Sequence, residues 1–465
     1  MYRRIPTAIS RRPRVLAVEI DGNFQSMMSA ILANPGLATA HQQLIPQTNK
    51  TTIMKTPDWN KSDIVLSTKG HARRINNKVN VPMLDRLYPV VSLFALAACA
   101  EATQENTFAP GDVRLSEQGY ELHPVTTNLE FPWQMQVLDT GTILVTEREG
   151  RLRRITDGQL VDLPLTGLPD DIRVDGQGGL LGLAIDPDFN QNRKIYLSYA
   201  KNIDPLSALA VIRATLSEDE GSISDASEIF LGEPRDTTHH FGGRLGFLPD
   251  RSLIITLGDG LRYMDAAQDL TSLHGKIVRI NTDGTIPADN PLIGEGSRPE
   301  IFSFGHRNVQ GLVFDAERQI LFAHEHGPKG GDELNIIDPG NNYGWPEITY
   351  GINYDGTFIS TETHADGMQQ PIHKWVPSIA PSGMTLVNTA AFPEWRGDLL
   401  IGAMNGPKGR KLVRIDLNDA GSIIATEDLL GDLQLAFRDV LSTPEDIFLA
   451  TADFDGAIYR IEHAD

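Results

Sequence analysis

Trp133-Gln-Met-Gln-Val-Leu138, Asp139-Thr-Gly141, Thr142-Ile-Leu-Val-Thr146 and Arg151-Leu-Arg-Arg-Ile155 read in turn as an apolar strand, a tight turn, a second apolar strand and a third strand of the form apolar-apolar-Arg-Ile. Short apolar runs punctuated by Asp and Gly mark consecutive hairpins, because Gly accepts positive φ without strain and Asp bonds its own backbone in turns. The same unit returns five times. Its later copies are Leu180–Ile185, Lys194–Ser198 and Ala210–Arg213; Arg244–Phe247, Ser252–Leu257 and Lys276–Ile280; Gly311–Phe314, Ile320–Ala323 and Glu333–Ile337; Gly383–Val387, Asp398–Ile401 and Lys411–Ile415; and Arg438–Leu441, Ile447–Thr451 and Ala457–Ile461. Six antiparallel meanders at intervals of several tens of residues predict an all-β, six-bladed propeller of four-stranded blades. Helical periodicity is scarce, which argues against a doubly wound α/β enzyme. Greek-key sandwiches do not repeat a meander so regularly. Propellers bind ligands where the loops between blades converge at one end of the central channel, so the chemistry is sought between the strands.

The charge supports a small-molecule partner. The 465 residues carry a formal charge of −20, which would repel nucleic-acid phosphate. It is unevenly spread: residues 1–82 hold 12 of the 41 Lys and Arg but only 4 of the 61 Asp and Glu. That segment lacks sustained strand or helix periodicity and is expected to be a non-globular extension of the reading frame, with translation beginning at Met83. Residues 83–99 have a charged start and an apolar run too short to span a bilayer, the pattern of a secretory signal peptide. Leu96-Ala97-Ala98-Cys99, which contains the chain's single cysteine, resembles a bacterial lipobox. Residues 100–112 would then be a tether and 113–465 the propeller. The implied location is the periplasm, with Cys99 acylated, and Ala100 rather than Asp after it favours the outer membrane.

Five inter-strand segments carry candidate chemistry. Asp175-Gly-Gln177-Gly-Gly-Leu-Leu-Gly182 lets backbone approach a ligand and offers the Gln177 amide. His239-His240-Phe-Gly-Gly-Arg244 puts an imidazole just before an innermost strand, where it could take a proton near neutral pH. Asp259, ending the next strand, could orient that imidazole. Gly305-His-Arg307-Asn308-Val-Gln-Gly311 sets a guanidinium beside a carboxamide, suited to an oxyanion or a quinone oxygen. Glu325-His-Gly327-Pro328-Lys-Gly-Gly-Asp332-Glu333, followed by Asn342-Tyr343-Gly-Trp345-Pro346, combines turn carbonyls with carboxylates, the hard oxygen donors calcium prefers. The EF-hand spacing is absent, and no thiol or paired-His spacing supports zinc.

In this order, from about Phe131 onward, these segments resemble the soluble dehydrogenases of glucose, aldoses and sorbosone that depend on pyrroloquinoline quinone (PQQ), and especially the aldose sugar dehydrogenase branch. The resemblance implies PQQ bound at the channel mouth through calcium, and oxidation of an aldose at C1 to the aldonolactone. It assigns His240 as the general base that removes the C1 hydroxyl proton while hydride passes to the quinone. Asp259 orients that base, and Arg307 stabilises developing negative charge. Gln177, His240, Arg307, Asn308 and Arg438 match cofactor-contacting positions. The carbonyls of Gly327 and Pro328 match ligands of the cofactor's calcium, and Glu333 and Tyr343 match a second, structural calcium site. The electron acceptor, a quinone or a cytochrome, is not specified by the sequence.

Two family cations are missing. Ala436 stands where an arginine usually precedes Phe437-Arg438, and Asn405 falls at a lysine position that Lys408 fills only if the loop is realigned. Two other readings are compatible with the same residues. One is a non-catalytic lipoprotein propeller that binds carbohydrate or protein. The other is a calcium-dependent lactonase, which would need a carboxylate-lined metal in the channel, where the loops supply His, Arg, Asn and Gln instead.

Overall fold

The computed structural model describes residues 111–464 apart from 293, 295 and 406–408, together with a backbone pairing of Thr52–Ile53 with Leu66–Ser67. The expected signal segment 83–99 with Cys99, the Met83 start, most of the tether and Lys408 lie outside the described residues. The chain divides into two units, Met1–Glu105 and Asn106–Asp465, and the second holds the repeats.

In this second unit six antiparallel sheets form a six-bladed propeller. The first five blades are four-stranded and run inner to outer in chain order. Blade one is Pro132–Val137, Ile143–Glu147, Arg151–Thr156 and Gln159–Leu160, and blade two is Leu180–Ile185, Lys194–Ile203, Leu206–Leu216 and Ile223–Leu231. Blade three is Gly242–Phe247, Leu253–Leu257, Lys276–Ile280 and Ile301–Phe304. Blade four is Val309–Asp315, Ile320–Glu325, Asp332–Ile336 and His373–Trp375, and blade five is Pro381–Leu386, Leu399–Asn405, Arg410–Leu417 and Ile423–Leu429. In blade six, Phe437–Ser442, Ile447–Thr451 and Gly456–His463 come from the end of the chain. Its outer strands, Tyr120–Leu129 and Arg114–Leu115, come from before blade one. Ile461 pairs with Leu122 and His463 with Tyr120, so the two ends of the propeller lock each other. Each innermost strand also packs on that of the next blade, with blade six on blade one, which closes the ring and leaves the inner edges covered.

The core lies between blades like the spaces between spokes. Leu181, Tyr196 and Val211 of blade two meet Leu245 and Ile255 of blade three; Met135 and Val145 of blade one meet Ala450 and Ile458 of blade six. Close approach of the inner strands requires small residues. A Cβ on Gly182 would lie 2.2 Å from the carbonyl oxygen of Gly243 in the neighbouring blade. Gly182→Ala is therefore expected to cost about 1–3 kcal/mol in denaturant unfolding, because the clash is with backbone of a packed neighbour and not with a movable side chain.

Near the axis the blades are joined by charge. Asp439 of blade six accepts from Arg244 Nη1 of blade three at 2.8 Å and from the Met135 amide of blade one at 2.7 Å. The Trp133 ring lies 4.3 Å from the guanidinium carbons of both Arg244 and Arg438. One carboxylate thus ties three blades across the channel.

Candidate active site

The Gly-rich loop before blade two and the His loop before blade three are fastened together. Gln177 donates its backbone N–H to Thr238 O at 2.8 Å, and its side-chain Oε1 accepts the His240 N–H at 2.8 Å. His240 has φ of +53°, a left-handed conformation uncommon outside glycine, and its N–H bond to Gln177 helps to hold it there. Arg235 contributes to that hold. Its buried guanidinium donates to the carbonyls of His240 at 3.2 Å and Gly258 at 3.4 Å and lies 4.3 Å from the Phe241 ring centre.

Asp259 approaches the ring from the end of the adjacent strand. His240 Nδ1 is 2.6 Å from Asp259 Oδ1, which also accepts the Leu261 N–H at 2.8 Å, while Oδ2 accepts the Trp345 indole N–H at 2.9 Å. Burial opposes a charge on Asp259, but the imidazole, Arg307 and the Leu261 N–H override it and hold the carboxyl below its ordinary range. An ionised Asp259 can only accept a hydrogen bond, so Nδ1 carries the ring proton and donates it, and that tautomer leaves Nε2 as the basic nitrogen. Among the described residues no hydrogen bond occupies Nε2. Burial depresses the imidazole below 6.5, with the Arg307 and Arg235 cations acting in the same direction against Asp259. In the cofactor-free protein the His240 ring is expected to titrate below pH 6.5 by NMR. Arg235→Met should move that titration upward, since it removes a cation that opposes the imidazolium.

Seven of the predicted site residues line two cavities, while His240, Asp259 and Pro328 line neither. Gln177, Asn308 and Arg438 line one of about 170 Å³, with Trp133, Gln310 and Arg148 also in its wall. Asn308 Oδ1 accepts from the Gly242 N–H at 3.2 Å and from Gln310 Nε2 at 3.2 Å, and Arg438 Nη2 donates to Gln310 Oε1 at 3.0 Å. Arg307, Gly327, Glu333 and Tyr343 line a second, smaller cavity. Arg307 Nη1 donates to Gly327 O at 2.7 Å and His326 O at 3.0 Å, and the guanidinium carbon is 5.3 Å from the Trp345 ring centre. His240 joins the two groups: Gln177 holds its amide, and through Asp259 its ring is tied to Trp345 of the smaller cavity.

The donor set fits an acidic, planar ligand in the larger cavity. Arg438 is buried, has no carboxylate within ion-pair distance among the described residues, and is pushed well below its ordinary range by burial and by Arg244. Amides and an aromatic surface complete a wall suited to a flat carboxylated ring. The smaller cavity gathers two carboxylates, Glu325 and Glu333, beside the Arg307 guanidinium, and among the described residues no group of three or more His, Cys, Asp or Glu side chains is placed to hold a metal. Burial, followed by repulsion from Glu325, pushes Glu333 up to about 8, an expense that a bound cation would remove. Tyr343 contributes there by position: its hydroxyl donates to Ile336 O at 2.7 Å and accepts the Asp338 N–H at 2.8 Å. Asp332 serves as a brace of the Gly327 turn. Its Oδ1 accepts from Gly327 N, and its Oδ2 accepts from Ser378 Oγ, Ile379 N and Ala380 N, all at 2.7–2.9 Å. Ala436 is buried and Asn405 is exposed, with Asn405 Nδ2 donating to Ser378 O at 3.0 Å, so neither supplies the absent charge.

The sequence pattern assigns no role to Trp133, Arg148, Arg235 or Trp345. Trp345 lies in a stretch that is legible as unusual. The other three stand in ordinary strand ends and loops, and only the fold directs them inward.

The profile of the glucose / sorbosone dehydrogenase family matches residues 129–460. The chain is 39% identical over 355 residues to the aldose sugar dehydrogenase YliI of Escherichia coli, covering 73% of this chain and 93% of that protein. It superimposes on the crystal structure of the soluble aldose sugar dehydrogenase of Escherichia coli in its apo form with a TM-score of 0.70 and 37% identity, over 74% of this chain and 99% of that one. The PQQ-bound aldose sugar dehydrogenase of Streptomyces coelicolor aligns with a TM-score of 0.62 and 28% identity, over 76% of this chain and 99% of that one.

Proposed function

The chain belongs to the glucose / sorbosone dehydrogenase family, an oxidoreductase family acting on sugars, and on that premise we propose that it oxidises an aldose at C1 to the aldonolactone using PQQ and calcium, with His240 as the base. The observation that carries this reading is the buried Asp259–His240 pair at 2.6 Å, which leaves a neutral imidazole with a free Nε2. In the proposed reaction Nε2 accepts the proton of the C1 hydroxyl. Asp259 keeps the tautomer and balances the imidazolium that forms. Trp345 fixes Asp259 from its other oxygen, and Gln177 with Arg235 fixes the strained backbone of His240, so little reorganisation accompanies the transfer.

PQQ, when bound, supplies the two-electron acceptor. Gln177, Asn308 and Arg438 would hold it in the larger cavity, and Arg307 would supply a fixed positive charge beside it. The carbonyls of Gly327 and Pro328 would face the cofactor's calcium, and Glu333 with Tyr343 would border a second calcium. The two carboxylates in the wall of the smaller cavity, Glu325 and Glu333, support the second of these assignments. A periplasmic, Cys99-anchored location is proposed on the sequence alone, and mass spectrometry of the mature N-terminus tests it.

The test is reconstitution of the purified protein with PQQ and calcium, followed by a panel of aldoses with an artificial electron-accepting dye. Sugar-dependent dye reduction with aldonolactone formed in equal amount is expected; PQQ uptake without reduction by any aldose would overturn the assignment.

A further inference from the structure

The larger cavity recovers from an unexpected direction the charge that Ala436 and Asn405 fail to provide. Arg148, at the turn between the second and third strands of blade one, lines this cavity together with Gln177, Asn308 and Arg438. Its backbone is fixed on both sides. The Arg148 N–H donates to Phe131 O at 3.0 Å, and its carbonyl accepts the Leu180 N–H at 3.3 Å. The loop carrying Gln177 packs so tightly on that carbonyl that a Cβ on Gly179 would lie 1.8 Å from it. The side chain is placed as well: its guanidinium carbon lies 4.4 Å from the centre of the Phe131 ring, which meets Phe454 edge-on at 5.8 Å. Its capacity to donate is largely unused. Nε is buried without a hydrogen-bond partner, and among the described residues the one carboxylate near its terminal nitrogens, on Glu149, is 4.0 Å away. A guanidinium held in the wall of a binding cavity with unspent donors calls for an anionic partner.

We propose that Arg148 is a cofactor-binding residue, pairing with a carboxylate of the planar, acidic quinone in the cavity that Arg438 also lines. This role rests on the functional reading above and adds to it a residue outside the motifs that carry the family resemblance. Arg148 and Arg438 line the same cavity and the charge of Arg148 opposes that of Arg438, so an anion close to both relieves a repulsion as well as making hydrogen bonds. The Phe131 and Phe454 rings hold the guanidinium in place before the ligand arrives, which lowers the ordering cost of binding.

The test is a calorimetric or fluorescence titration of the calcium-loaded protein with PQQ, for the wild type, Arg148→Met and Arg148→Lys. Methionine preserves the apolar stem over Phe131, and thermal unfolding of each variant reports whether the fold is intact. Arg148→Met should weaken PQQ binding roughly ten- to hundredfold, the loss expected for one charge-assisted contact, and Arg148→Lys should restore part of it. The trimethyl ester of PQQ, which lacks the carboxylate charges, should bind wild type and Arg148→Met equally. PQQ affinity in folded Arg148→Met within about twofold of wild type would overturn the role of Arg148 while leaving the proposed function standing. Failure of the wild type to bind PQQ at all would overturn both.

Discussion

His240→Ala should lower the turnover number of the PQQ-reconstituted enzyme by roughly 10²–10⁴-fold, the contribution of a positioned general base. The size of the effect comes from the geometry. Nε2 is free, Nδ1 is committed to Asp259, and no second imidazole among the described residues is placed to substitute. His326 Nε2 donates to Pro381 O at 2.7 Å and its ring is lowered to about 3 by burial, and His239 meets the Thr238 hydroxyl at 3.5 Å. Asp259→Asn should produce a loss of similar order with PQQ still bound. An asparagine keeps the shape but can present its N–H to Nδ1 and reverse the tautomer, which makes Nε2 the protonated nitrogen. Steady-state kinetics at saturating PQQ and calcium measure both. Partial recovery of activity in His240→Ala at alkaline pH or with added imidazole would mark the lost function as proton transfer. A His240→Ala enzyme within about tenfold of wild type would remove His240 from the mechanism.

The second large effect concerns stability. Arg244→Met is expected to destabilise the propeller by about 3–5 kcal/mol, because it leaves the Asp439 carboxyl, which burial already pushes above its ordinary range, buried and short of its partner. Both side chains of this pair are only 4% exposed, so solvent screening offers little relief. Asp439 also receives the Met135 amide, so the damage reaches the junction of blades six and one, where the ends of the propeller meet. Adding Asp439→Asn to Arg244→Met should restore part of the loss, since the neutral amide oxygen can still accept from Met135 while the stranded carboxyl is gone. Urea unfolding of the two single variants and the double variant measures this coupling. Strict additivity would show that the pair does not join the blades energetically.

How legible each feature is in the sequence depends on how locally it is encoded. The inner three strands of every blade can be read because apolar runs and Asp, Pro or Gly turns recur locally; Leu180–Ile185, Lys276–Ile280 and Ile447–Thr451 agree to the residue. Outer strands cannot. Ile423–Leu429 is exposed along most of its length and has no continuous apolar run, and Gln159–Leu160 is only two residues long. The closure of blade six by Tyr120–Leu129 joins segments at opposite ends of the propeller, and no local pattern reports such a pairing. At the site, the His240–Asp259 contact can be anticipated because both residues sit at strand ends of one blade. The division of the predicted residues between two cavities cannot, because it depends on how Arg307 turns toward Gly327 and how Trp345 reaches Asp259. Arg148 is hidden for the same reason: the cavity it lines is walled by segments from all six blades.

The most direct test is a crystal structure of the protein soaked with PQQ and calcium. The quinone is expected in the cavity walled by Gln177, Asn308 and Arg438, with His240 Nε2 facing the cofactor's reactive carbonyls across a space large enough for a sugar C1. A quinone lodged elsewhere, or an imidazole turned from it with Nε2 closed off by protein, would contradict the role given to His240 and the cofactor site built around it.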